Sequence, residues 1–185
     1  MFYVADSSLN FAEAVSGSTA PEAILATLRL VEVTYYGFDG RLHMGQLVVS
    51  CAVEEDVREI FSLIREVRFP VNAVVPIVRY NWSDEASMEA NNSSAFNYRV
   101  IAGTNRLSRH ALGLAVDLNP RQNPMIYENG QILPSGAIYQ QDAPGTLTES
   151  SLAVQAFLQR GWHWGGHFQH VRDYHHFEHG TIPSL

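Results

Sequence analysis

Residues 31–70 constrain the fold more than any other stretch. "VEVTYYGFDGRLHMGQLVVS" reads as strand, turn, strand. Val31, Val33 and Tyr35 alternate with their neighbours, "GFDG" has turn chemistry, and "GQLVVS" resumes an extended run. Directly after it, Val53, Val57, Ile60, Phe61, Ile64 and Val67 recur at helical spacing, and Pro70 stops the run. Helical and extended patterns mix along the chain without regular alternation, so the expected class is α+β. The expected architecture is a small, mostly antiparallel sheet with helices packed on one side.

Residues 1–30 read as an N-terminal helical extension, and 31–185 as the main domain. In "STAPEAILATLRLV", Thr19 is a cap candidate, Pro21 sits near the first turn, and Ile24, Leu25 and Leu28 share a face. "VNAVVPIVRY" reads as a buried strand. "NWSDEASMEANNSSAFNYR" reads as a long polar loop, a kind of segment that is usually functional. "NYRVIAG" and "GLAVDLN" read as strands, and residues 119–145 as loop-rich. "TESSLAVQAFLQRG" reads as a short helix closed by Gly161.

Hydrophobic residues make up 46% of the chain and charged residues 17%, a globular balance that argues against disorder. The formal charge is −7, and the 12 basic residues are scattered, so no nucleic-acid partner is expected. The single cysteine, Cys51, excludes an intramolecular disulfide and is expected to be buried among its apolar neighbours. No apolar run reaches the roughly 20 residues needed to span a bilayer. The N-terminus lacks the basic and long apolar regions of an export signal. Cytoplasmic synthesis is therefore expected, with later release from the cell left open. Nothing in the pattern indicates an oligomeric state.

Two stretches carry chemistry. In "SRHALGLAVD", His110 and Asp117 stand seven apart, and a turn or bulge at Gly113 can bring both side chains to one point. A carboxylate in so apolar a strand is costly unless it is paired or bound to a cation. Taken alone, Asp117 is also a strand-end residue capping a turn. In "DYHHFEH", three histidines fall within five positions, interleaved with two carboxylates. A carboxylate three residues before a histidine suits a hydrolytic zinc site, whose open position takes water. Taken alone, such a stretch is also an ordinary polar terminus.

Together the two stretches resemble the D-alanyl-D-alanine carboxypeptidase-like zinc peptidases. That family includes phage L-alanyl-D-glutamate endopeptidases. "SRHALGLAVDLNP" is similar to its Ser-x-His-x-x-Gly-x-Ala-x-Asp signature at Ser108, His110, Gly113, Ala115 and Asp117. "GWHWGG…DYHHFE" resembles its second metal motif, and the resemblance spans roughly residues 31–179. It implies a fold of the DD-peptidase/hedgehog type with the metal at the sheet. It also implies one zinc per chain on His110, Asp117 and His176, with Asp173 as general base. Arg99 would stabilise the oxyanion, Arg79 being the alternative, and Ser108 would touch substrate. Glu178 would orient a ligand or fix the strand, and His175 and His179 have no matching role.

The implied activity is zinc-dependent hydrolysis of peptidoglycan stem peptides, with the bond, D-Ala–D-Ala or L-Ala–D-Glu, left open. The alternatives are a non-catalytic zinc-dependent binding module on the same scaffold, recognising cell wall or protein, and a metal-storage protein using the His-rich tail. His167 and Phe168 stand where relatives often carry an acidic residue and Trp. His163, His167 and His170 read as loop residues, and Trp162, Trp164 and Phe168 as packing beside the site.

Overall fold

The computed structural model describes residues 2–181, so the last four positions of the expected main domain lie outside the described residues. The chain starts with strand β1 (Val4–Ala5) and two short helices, α1 (Phe11–Ala14) and α2 (Glu22–Thr27). Asn10 and Glu13 cap α1 reciprocally, each side chain bonding the other's backbone N–H. Strands β2 (Leu28–Tyr36) and β3 (Leu42–Ser50) then form the expected hairpin, in register from Leu28↔Ser50 to Tyr36↔Leu42. Helix α3 (Glu54–Glu66) follows, with acidic residues in its first turn and Arg65 in its last, matching the helix dipole. Its Val57, Ile60, Phe61 and Ile64 are buried in one core with Val31, Val33, Tyr35, Leu47 and Val49 of the hairpin.

The N-terminal segment is not a purely helical extension. β1 pairs parallel with β3, Val4 opposite His43, making a sheet of order β1-β3-β2. Cys51 is exposed rather than buried, because it opens a short 3-10 turn that leaves the sheet after Ser50.

The middle of the chain departs further from expectation. The expected strand over 71–80 is two residues of β4 (Ala73–Val74) followed by a 3-10 turn, Ile77–Tyr80. The expected polar loop holds helix α4 (Asp84–Glu89), capped by Ser83, and strand β5 (Asn92–Ser93), which pairs with β4. Its Asn and Ser side chains point inward. Asn92 bonds Val75 on both backbone groups, and Ser93 Oγ accepts from Asn119 N. Buried polar side chains that replace ladder hydrogen bonds look like loop composition in a sequence.

The remaining strands are β6 (Ala115–Asp117), β7 (Met125–Tyr127), β8 (Ile132–Leu133), β9 (Trp162–Trp164), β10 (Val171–Asp173) and β11 (His176–His179). Helix α5 (Leu152–Leu158) precedes β9, and Gly161 takes a positive φ just after it. The strands form two antiparallel sheets, β10-β7-β8 and β6-β11-β9. The class is α+β as expected, but several small sheets replace the single sheet with helices on one side. Alternation along β11 fixes its two faces. Phe177 is fully buried and stacks on Phe157 of α5 at 3.9 Å, so His176 and Glu178 face the other way. Among the described residues, no helix is long and apolar enough to cross a membrane.

Candidate metal centre

His110 sits in a 3-10 turn, Arg109–Leu112, that Ser108 caps by accepting from His110 N. Ser108 is buried, and its hydroxyl holds the turn that carries His110. Gly113 ends the turn at φ 65°, a left-handed conformation glycine adopts at little cost. A Cβ there would lie 2.6 Å from Ser50 N and 2.7 Å from the Leu28 side chain. The glycine of the motif thus packs the turn against the hairpin. Backbone bonds to Ser94 in both directions clamp Asp117 at the end of β6. His176 lies directly opposite Asp117 in the β6–β11 ladder.

These placements bring three donor atoms together. His176 Nδ1 is 3.0 Å from Asp117 Oδ1, His110 Nε2 is 3.2 Å from Asp117 Oδ2, and the two ring nitrogens are 3.1 Å apart. All three residues are buried, and they form a group able to hold a metal ion. Tetrahedral ligands about 2.0–2.1 Å from zinc stand roughly 3.3–3.4 Å from one another, close to this spacing.

The outer ring nitrogens are also tied. His110 Nδ1 bonds Ala95 O, and His176 Nε2 lies 3.2 Å from Glu178 Oε2. Carbonyl and carboxylate oxygens only accept, so the outer nitrogens carry the protons. The inner nitrogens then turn lone pairs toward each other and toward the Asp117 carboxylate. Only a cation or a proton relieves that arrangement, and this is how outer partners usually orient metal-binding imidazoles.

The electrostatics agree. Burial works against charge on His176, but hydrogen bonds to Asp117 and Glu178 and the charges of Asp117 and Asp173 outweigh it and push it up to about 10. Burial would raise Asp117, yet the charges of His110 and His175 and its bonds to His110 and His176 hold it well below the usual carboxylate range. The His176 bond holds Glu178 low. The cluster thus favours positive charge at its centre.

Asp173 ends β10 and is buried. Its charge reaches both His175 and His176. His175 Nε2 is 3.0 Å from Asp173 Oδ1 but outside hydrogen-bond geometry, so that oxygen has no hydrogen-bond partner among the described residues. Gly165 packs tightly on the backbone here, for a Cβ would come within 2.3 Å of Asp173 O.

Sequence reasoning gave His175 no role. The structure buries it, with Nδ1 donating to Asn123 O at 2.7 Å and Nε2 facing Asp173. Burial opposes its charge, but Asp173 and Asp117 push it up to about 9. The available signal was position alone: next to His176, it turns away from the metal group. Glu178 Oε2 stands within reach of His176 Nε2, on the ring nitrogen turned away from the metal group.

Arg99 is not part of the convergence. Its Nη2 pairs with Asp84 at 2.8 Å, and its Nε is buried without a partner. Arg79 is exposed beside the N-terminal helix α1, in a cleft shared with Leu9 and Glu13. His163, His167 and His170 are exposed, the last two paired with Glu149 and Glu128. Trp162 and Trp164 are buried, and the Phe168 ring stands 6.1 Å from that of His176.

Two histidines and one carboxylate, with the outer nitrogens tied, are a donor set of the type that also occurs in zinc sites with an open position. Residues 102–179 match the sequence model of the family described as D-alanyl-D-alanine carboxypeptidase, so this stretch is similar to that family. The matched stretch holds all three donors and Asp173, while Arg99 lies just outside it. No curated protein and no solved structure matches the chain.

Proposed function

We propose that the protein is a zinc-dependent peptidase that hydrolyses a peptide bond in peptidoglycan stem peptides. The observation that carries this reading is the convergence of His110 Nε2, Asp117 and His176 Nδ1, with the buried Asp173 close enough for its charge to act on His176. One ion per chain would be held by those three side chains. When bound, zinc supplies a Lewis acid that makes water nucleophilic near neutral pH.

The chain's own residues do the rest. Asp173 takes a proton from the attacking water and passes it to the leaving amine. His175 Nε2, 3.0 Å from Asp173 Oδ1, balances the charge of that carboxylate. Glu178 and the Ala95 carbonyl fix the rings of His176 and His110. The resemblance assigns the oxygen on which charge develops to Arg99, which pairs with Asp84 and would have to turn toward the metal group to reach it. The family supports a cell-wall peptide as substrate, without distinguishing a D-Ala–D-Ala bond from L-Ala–D-Glu.

The test is digestion of purified peptidoglycan with and without a chelator, reading products by mass spectrometry. The expected result is a new amine terminus at one stem-peptide bond, lost on chelation and restored by zinc. Absence of a chelator-sensitive product from zinc-loaded protein would contradict the reading.

A further inference from the structure

A second cleft adjoins the candidate centre, and neither the metal group nor Asp173 lines it. It encloses about 390 Å³, within the range of small-molecule sites. Tyr174, the residue after Asp173, forms one wall, stacked on Tyr139 with ring centroids 3.7 Å apart. Trp164 reaches the floor, its indole N–H held by Tyr174 O at 2.8 Å. The cleft and the centre share one support. The turn Gly165–His167 packs on the Asp173 backbone on one side and gives Gly166 and His167 to the cleft on the other.

The lining chemistry narrows the ligand. Apart from its tyrosines, the cleft holds two ionisable residues, Glu149 and His167, and they pair with each other. Nothing there is left to balance the carboxylates of a stem peptide. What remains is a partly buried aromatic pair beside the hydroxyl of Thr148 and the amide of Gln141. Aromatic faces take the C–H face of a ring, and short polar side chains take its hydroxyls. Ile138, next to Tyr139, and Leu152, close to Ser150 of the lining, are 73% and 56% exposed, an apolar margin of the kind found around binding sites.

From this we infer that the cleft bounded by Tyr139, Tyr174, Trp164 and the Glu149–His167 pair is a saccharide subsite, taking an uncharged sugar ring of the glycan to which the stem peptide is attached. The inference rests on the proposed function for the identity of the glycan, but its test does not require hydrolysis. The zinc-loaded protein is titrated with tri-N-acetylchitotriose, following tryptophan fluorescence and the amide spectrum. Saturable binding is expected, at least tenfold weaker in Tyr139→Ala and within about twofold of the native chain in Tyr139→Phe, which keeps the ring. Equal zinc content in all three proteins checks that the variants fold. No saturable binding by the native chain would overturn the inference, as would Tyr139→Ala binding as well as the native chain. A protein that binds the trisaccharide but cleaves no stem peptide would sink the peptidase reading and leave the subsite standing.

Discussion

Among the described residues, two clusters set histidine against more than one carboxylate or histidine partner, and they differ in whether their donor atoms converge. In the first, His110, Asp117 and His176 turn three donor atoms to a common point. In the second, His43 lies between Asp6, 3.0 Å from Nδ1, and Asp39, 3.1 Å from Nε2, and stacks on Tyr35, whose hydroxyl also bonds Asp6. There the carboxylates sit on opposite sides of one ring, so the cluster is a chain of hydrogen bonds that ties β1 to the hairpin. Composition is alike in the two. They differ in whether lone pairs converge, and in whether the outer nitrogens are engaged elsewhere.

The largest effect expected from breaking this contrast comes at the donors themselves. Asp117→Ala or His176→Ala should lower zinc affinity by at least about a hundredfold, beyond the 10–100-fold typical of losing an outer partner. His43→Ala should leave the zinc content, measured by mass spectrometry, unchanged. Next, Asp173→Ala should keep the metal but slow peptide hydrolysis by about 10²–10⁴, the usual worth of a positioned acid–base group. Metal loss in this variant would make Asp173 a ligand instead.

His175 and His179 sharpen the comparison within one short stretch. His175→Ala removes the partner of the buried Asn123 carbonyl and leaves Asp173 unsupported, at a cost of about 2–3 kcal/mol in a denaturation experiment. His179→Ala, at a partly exposed site, should change stability by less than about 0.5 kcal/mol.

The smallest effect belongs to the second cluster and depends on pH. Burial opposes charge on His43, but bonds to Asp6 and Asp39 outweigh it and raise its pKa. A raised folded pKa means that the folded state holds the proton more tightly. The added stability is therefore present below the ordinary imidazole value of about 6.5 and is lost as pH rises through the raised one. His43→Gln should cost about 1 kcal/mol or less near pH 5–6, and the difference should vanish in alkaline solution. A difference that grew with pH would reverse the assignment.

The hairpin and α3 are legible in the sequence because each has a local signature, and the family resemblance pointed to the three residues whose donor atoms converge. The hairpin and helix have periodicity and turn residues. His110 and Asp117 sit at fixed offsets around a glycine whose Cβ would clash with the hairpin. The segment 81–99 was less legible. Its polar residues are buried and bond the backbone, which in sequence looks the same as exposure. The N-terminal strand was hidden for another reason: two residues of β1 gain their pairing from β3, far along the chain. His175 illustrates the same limit at one position, since its role depends on Asn123.

The most direct test is zinc X-ray absorption on the purified protein with its metal content measured in parallel. The account predicts one zinc per chain, with two imidazole nitrogens and a carboxylate oxygen near 2.0–2.1 Å, and loss of that signal in His176→Ala. A chain that retains no zinc, or one whose zinc shell is unchanged in His176→Ala, would contradict it.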